Sequence, residues 1–279
     1  MIKIENFEVL GWEHAIRGMR NPMNSWEKSD SKWCRDRSTC DNCYFEGNVY
    51  GDRETYPVSC DEALGRAPKY SVGQNDHKLM MSLAKGGPVH AKYRRMITVY
   101  LDITAPLYWW KEFDTYKVGT VANSCSTMHK IHAKKFELDD FSHEDLLSFQ
   151  DSEFAVDDHM MVYEDYWDPK FMLEMTIRML NHWRDMYNRI DRKIKTGYFT
   201  EQELKHLIAQ RKLTWKQMIK LLPTSYNQKR TVMLNYEVLH NIYHSRKNHK
   251  LDEWHVFCDW IERLPYSELI TGEYEEAAE

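Results

Sequence analysis

Residues 85–106 read KGGPVHAKYRRMITVYLDITAP, followed by LYWWKEFD over 107–114 and TYKVGTVANSCSTMHK over 115–130. From Tyr93 to Ile103 apolar and polar residues alternate, and Tyr, Ile, Thr and Val dominate. That pattern predicts a strand with one buried face, and no other stretch of the chain shows it as well. Upstream, Asn75-Asp76 reads as the cap of a helix through Leu79, Met80, Met81 and Leu83, ended by Gly86-Gly87-Pro88. Downstream, Ala105-Pro106 opens a second helix, since proline is tolerated where a helix leaves its first amides unpaired. Leu107, Tyr108, Trp110 and Phe113 would form the aromatic face of that helix. The run 116–129 is small and polar, and reads as loop and strand.

Working outward, Ile2–Trp12 alternates like an opening strand, and a short helix is expected around Glu13–Met19. Residues 22–75 are rich in Asn, Ser, Asp, Gly and Cys without periodicity, and predict an irregular loop or insertion. From Ser142 onward helices dominate. Asp168-Pro169 opens a long one through Phe171, Met175, Met179, Trp183 and Met186 to about Lys195. Thr200 and Glu203 form a capping box ahead of a helix to Gln210. Thr214 reads as the cap of the next helix, which stops at Leu222-Pro223. Further helices are expected over roughly 228–247 and 251–262, and residues 273–279 read as a mobile acidic tail.

The 279 residues are 42% hydrophobic and 29% charged, enough for a substantial core. The expectation is a single mixed α+β domain over 1–279, helix-rich in its C-terminal half. No run of 18 apolar residues exists, so no membrane partner is expected. The first residues lack the apolar core of a signal peptide, and a cytoplasmic protein is expected. The formal charge is −5 and Lys and Arg form no long block, which argues against a nucleic-acid partner. Ten Trp and seventeen Tyr supply mostly core area.

Generic catalytic signatures are missing: there is no Walker loop, no GxGxxG after a strand, no nucleophile elbow and no HExxH. Four of the six cysteines, Cys34, Cys40, Cys43 and Cys60, crowd into one segment with spacing C-x5-C-x2-C-x16-C. In a cytosolic chain such clustering favours metal over disulfide, and only Cys40–Cys43 has a familiar zinc spacing. Free thiols on an exposed insertion and a structural zinc site both fit.

The order of helix, Gly and His, strand, and Ala-Pro helix start resembles that of the flavin-dependent thymidylate synthases (ThyX). In that family the last helix leads into a signature, RHRxxSxNxxSxRY. Counted without gaps from Ala105-Pro106, the signature falls on Thr115–Met128, placing its third basic residue on Lys117, its first Ser on Thr120 and its second on Cys125. A shift of one residue instead places its Asn and Ser on Asn123 and Ser126, and both registers stand. Two leading basic residues and a late Arg are absent in either. A second stretch is similar without gaps: Leu222-Pro223, then Asn235, Asn241 and Arg246. On a helix, 235, 239, 242 and 246 share a face.

The resemblance implies a central antiparallel sheet flanked by helices, assembled as a homotetramer with sites shared between subunits. It implies reductive methylation of dUMP, or of a related pyrimidine nucleotide, with reduced FAD. Methylenetetrahydrofolate and NADPH would be co-substrates. Arg246 is the implied catalytic residue, and His90, Val118, Asn235, Asn241 and Arg246 would bind the cofactor. Lys117, Thr120, Asn123, Ser124, Cys125, Ser126 and Lys220 would hold the nucleotide. Three alternatives remain: a non-catalytic flavin or nucleotide binder, a pyrimidine hydroxymethylase, and a zinc-binding interaction protein.

Overall fold

A computed structural model of the chain describes residues 2–34, 69–148 and 168–272. Much of the 22–75 insertion, Cys40, Cys43, Cys60 and the 273–279 tail lie outside these residues. In chain order the described elements are β1 (Lys3–Leu10), α1 (Trp12–Arg20), β2 (Lys32–Cys34), β3 (Lys69–Ser71) and α2 (Gln74–Lys85). There follow β4 (Thr98–Pro106), α3 (Leu107–Phe113), β5 (Val121–Ser124) and α4 (Thr127–Lys130). The helical half contains α5 (Pro169–Thr196), α6 (Glu201–Leu221), β6 (Asn227–Asn235), α7 (Tyr236–Arg246), α8 (Asp252–Glu262) and α9 (Glu268–Thr271). A four-stranded antiparallel sheet has the order β1-β4-β6-β5. A separate ribbon pairs β2 with β3, with Trp33 opposite Tyr70. This is the expected α+β class.

The chain divides into two compact units, with boundaries inside the strands of the large sheet. One comprises residues 1–3, 103–115 and 123–230. Its core is Ile131, Phe136, Phe141, Leu173, Ile177, Leu180 and Met218, with Trp183 and Trp215 packed against it. The long helix α5 starts as its sequence dictates: Asp168 accepts from the Phe171 amide and Pro169 occupies the first turn. Thr200 and Glu203 form their reciprocal capping box.

The expected break at Thr214 is absent, and α6 is continuous. The Thr214 hydroxyl donates back to the carbonyls of Arg211 (2.8 Å) and Gln210 (3.3 Å), so it serves the helix interior rather than a cap. In the same unit, α3 buries Trp109, Trp110 and Phe113. The Trp110 indole donates to the Gln228 carbonyl at 2.9 Å, and the Arg230 guanidinium lies 4.1 Å from its ring centre.

The other unit comprises residues 4–102, 116–122 and 231–279. Its core includes Ile16, Met80, Val99, Leu101, Leu234, Leu239, Ile242, Trp254 and Ile261. The strand expected from Tyr93 begins only at Thr98, because residues 91–96 wind as a 3-10 helix. Neighbouring Tyr93 and Arg94 are both buried, which alternation forbids but a tight helical turn allows. The Tyr93 hydroxyl donates to the Met80 carbonyl at 2.7 Å and ties that turn to α2.

Helix α2 starts at Gln74, so Asn75 and Asp76 lie in its first turn instead of at its cap. The acceptor comes from far along the chain: the Asp30 carboxylate takes the amides of Asn75 (2.9 Å) and Asp76 (3.1 Å). Asp76 is then free to turn inward. It pairs with the buried Arg20 at 2.6 Å and accepts from the Ser29 and Ser31 hydroxyls, each at 2.6 Å.

The helix expected over 228–247 is a strand followed by a helix. Val232 and Leu234 alternate into the core along β6, and the backbone turns helical only after Asn235. Period-two burial before residue 235 outweighs the helical spacing of 235, 239, 242 and 246 after it.

Candidate functional site

The second unit brings α7 together with the segment Tyr116–Ala122. Asn235 is both the last residue of β6 and the cap of α7, its side-chain oxygen accepting from the Val238 amide at 3.0 Å. The Tyr236 amide donates to the Ile97 carbonyl at 3.0 Å, which pins the helix start to the backbone just before β4. Facing this start is a turn in which the Thr120 amide reaches the Lys117 carbonyl at 3.3 Å. Gly119 in that turn is left-handed, with φ +83°, and a Cβ there would stand 2.9 Å from Asn235 Nδ2 and 3.2 Å from Val238 Cγ2. Only glycine permits both the backbone angle and the close approach.

Asn235→Ala should therefore lose a cap at a cost of about 1 kcal/mol and loosen the turn above it. Gly119→Ala should lose more, through strain and contact together. Thermal melts check the ranking, which fails if the alanine at 119 is the milder change.

At the far end of α7 the Arg246 guanidinium lies half-buried between two rings. Its Nε donates to the Tyr116 hydroxyl at 3.0 Å, and its centre lies 4.8 Å from the Trp254 ring and 5.7 Å from that of Tyr116. The planar cation is thus oriented by aromatic faces and a phenol oxygen. Between the two ends, Leu239 and Ile242 are fully buried. The face 235–239–242–246 is accordingly core in its middle and polar only at its ends.

Asn241 projects to the exposed side, about 200° around the helix from Leu239. His90 is exposed beside the 3-10 turn, and Val118 and Lys117 are exposed on the loop. Among the described residues the buried Thr120 hydroxyl oxygen has no hydrogen-bond partner.

Charge at this site is unevenly spread. Glu237, in the first turn of α7, is buried, and its nearest cation is Arg94 at 3.9 Å, itself buried. A carboxylate there disfavours a phosphate at the helix start. Burial lowers the pKa of His240 below its ordinary 6.5, and its Nδ1 lies 2.7 Å from the Ile270 carbonyl, so it adds no cation at neutral pH.

The remaining nucleotide candidates belong to the other unit. Asn123 and Ser124 lie in β5, all four residues of which are exposed. Cys125 is an exposed free thiol whose amide donates to the Lys229 carbonyl at 2.9 Å and whose carbonyl accepts from Gln228 at 3.0 Å. Ser126 caps α4, accepting from the His129 amide at 3.1 Å. Lys220 is exposed in the last turn of α6. Cys34 ends β2, and the described residues contain no group of three or more potential metal ligands.

Two crystal structures are similar to this chain over almost their whole length. Thymidylate Synthase X (ThyX) from Helicobacter pylori with FAD and dUMP is 12% identical, with 98% of each chain covered and a TM-score of 0.52. Flavin dependent thymidylate synthase ThyX from Helicobacter pylori, complexed with FAD and dUMP, is 13% identical over 98% of this chain and 99% of that one, with a TM-score of 0.51. The fold is ThyX-like. No family model and no curated protein matches the sequence.

The sequence alone singles out Asn235 and Arg246; the structure adds Tyr116 and Trp254, which flank Arg246, and the left-handed Gly119 beside Asn235. Gly119 carried a usable signal as the single glycine of a polar stretch. Tyr116 and Trp254 carried none, because their role follows from where Arg246 points. No described helix is long and apolar enough to cross a membrane.

Proposed function

We propose that this chain is a flavoenzyme of pyrimidine-nucleotide metabolism, binding FAD and dUMP or a close relative and adding a one-carbon unit to the uracil ring. The observation that carries this is the end-to-end likeness to structures holding FAD and dUMP. The residues on hand fit a planar, hydrogen-bonding ligand. A glycine brings backbone close to Asn235, the Thr120 hydroxyl has no partner among the described residues, and a guanidinium is oriented by two aromatic rings.

FAD, once reduced, would supply the reducing equivalents, with NADPH as their source and methylenetetrahydrofolate as the carbon donor. The chain's own residues would do the rest. Asn235, the Gly119 turn, Val118, Asn241 and His90 would hold the cofactor, and Lys117 and Thr120 would meet the nucleotide. Arg246 would stabilise negative charge gathering on a uracil carbonyl, an electrostatic role suited to a cation fixed in advance. Asn123, Ser124, Cys125, Ser126 and Lys220 would serve sites completed by neighbouring copies in a homotetramer. Addition of a hydroxymethyl group in place of methyl is a variant of the same chemistry.

A second proposal is a flavin or nucleotide binder without turnover. It is favoured by the lost basic residues of the signature and by the engagement of Arg246 with Tyr116 and Trp254. A zinc-bound segment around Cys34, Cys40, Cys43 and Cys60 is a separate proposal, tested by elemental analysis of the purified protein.

The experiment has two stages. Purified protein is expected to show flavin absorbance, or to gain it on incubation with FAD; a preparation that stays colourless counts against both enzyme and binder. Tritium release from 5-labelled dUMP with reduced FAD then separates them, since only the enzyme exchanges the label.

A further inference from the structure

The first unit carries a charge pattern of which the proposed chemistry uses only Lys220. Residues 169–221, spanning α5 and α6, hold twelve Lys and Arg against five Asp and Glu, a net +7 in a chain whose total is −5. From Leu204 to Leu221, LKHLIAQRKLTWKQMIKL, there is no carboxylate at all. Lys205, Lys212, Lys216 and Lys220 are all exposed, and helical spacing places them in one stripe opposite the buried Leu207, Thr214 and Met218.

Solvated helix faces ordinarily mix signs, because Glu and Lys four residues apart attract and like charges at that spacing repel. Lys205 has such a partner in Glu201, at 2.5 Å. Lys212, Lys216 and Lys220 follow one another at that spacing with no carboxylate among them, so folding alone gives no reason for the array. Successive members are about 6 Å apart along the axis, a repeating row of point charges rather than a pocket for one anion.

We propose that the outer face of α6 binds the phosphate backbone of a polynucleotide. Regularly spaced ammonium groups suit a regularly charged chain, and they contribute affinity without base selectivity. The stripe escapes notice in the sequence because its members are not contiguous and because Thr214 suggests a helix break that the fold does not have.

The test measures fluorescence anisotropy of a labelled 20-nucleotide single-stranded DNA with the full chain. Three lysine–phosphate contacts predict a log–log salt slope of about −2.1, or about 20-fold weaker binding between 50 and 200 mM salt. The variant K212E/K216E is expected to weaken binding at 50 mM salt at least tenfold, with unchanged circular dichroism. If that variant misfolds, K212Q/K216Q provides the comparison, with a smaller loss expected. No binding at 50 mM salt, or affinity indifferent to these substitutions, overturns the proposal. So does equal binding to polyglutamate of matched charge, which would point to an acidic protein, or to phosphatidylserine vesicles, which would point to a membrane.

Discussion

Arg246→Ala is expected to lower tritium release from 5-labelled dUMP by about 10²–10³-fold, the range found when a fixed donor to a developing oxyanion is removed. The fold should survive the change. The side chain is only half-buried, and the stacking lost against Trp254 and Tyr116 is worth about 0.5–1 kcal/mol, too little to unfold a domain. Arg246→Lys keeps the charge but loses the planar contact with both rings, so it should recover only part of the activity. Tyr116→Phe removes the hydroxyl that accepts from Nε and leaves the ring, and a loss below tenfold is expected. Tritium release unchanged in the alanine variant would take Arg246 out of the chemistry and leave it a packing residue.

The largest expected effect on stability lies away from the site. Asp76→Ala leaves the Arg20 guanidinium, 5% exposed, without its carboxylate, and should cost about 3–5 kcal/mol. Urea titration should show a lower midpoint at an unchanged slope. A midpoint within error of the parent would mean that the pair is dispensable.

The same group sets an acid limit. Burial pushes the Asp76 pKa up, but hydrogen bonds from Ser29 and Ser31 and the Arg20 charge outweigh it, so the pKa lies below its ordinary 3.8. A depressed carboxylate stabilises the folded state at pH above its unfolded pKa, and that contribution is lost as pH falls through the folded value. The parent should therefore lose this stability only in strong acid, and the alanine variant should lack that part of the acid transition.

Much of the fold could be read from residues whose cues are local. Asp168-Pro169 and the Thr200–Glu203 box mark helix starts because caps act within one turn, and both were found where expected. The α+β class follows from the alternation over 93–103 and the helical spacing from residue 142 onward. What was misplaced depended on distant partners. The cap of α2 belongs to Asp30, more than forty residues away, so Asn75-Asp76 drew the eye instead. β6 reads as helix from sequence because 235, 239, 242 and 246 share a helical face, while the alternating burial of Val232 and Leu234 fixes the strand. At the site, residue identity pointed to Arg246, but its orientation is decided by Tyr116 and Trp254, which pair with it only through the tertiary fold.

Gly119 has a consequence for engineering. The segment Tyr116–Ala122 comes against the start of α7 at that glycine, while β6 passes into α7 with no linker between them. The helix is a fixed floor and the segment above it an exchangeable cassette. Grafts of equal length that keep Tyr116 and the glycine at the fourth position should seat without remodelling the floor.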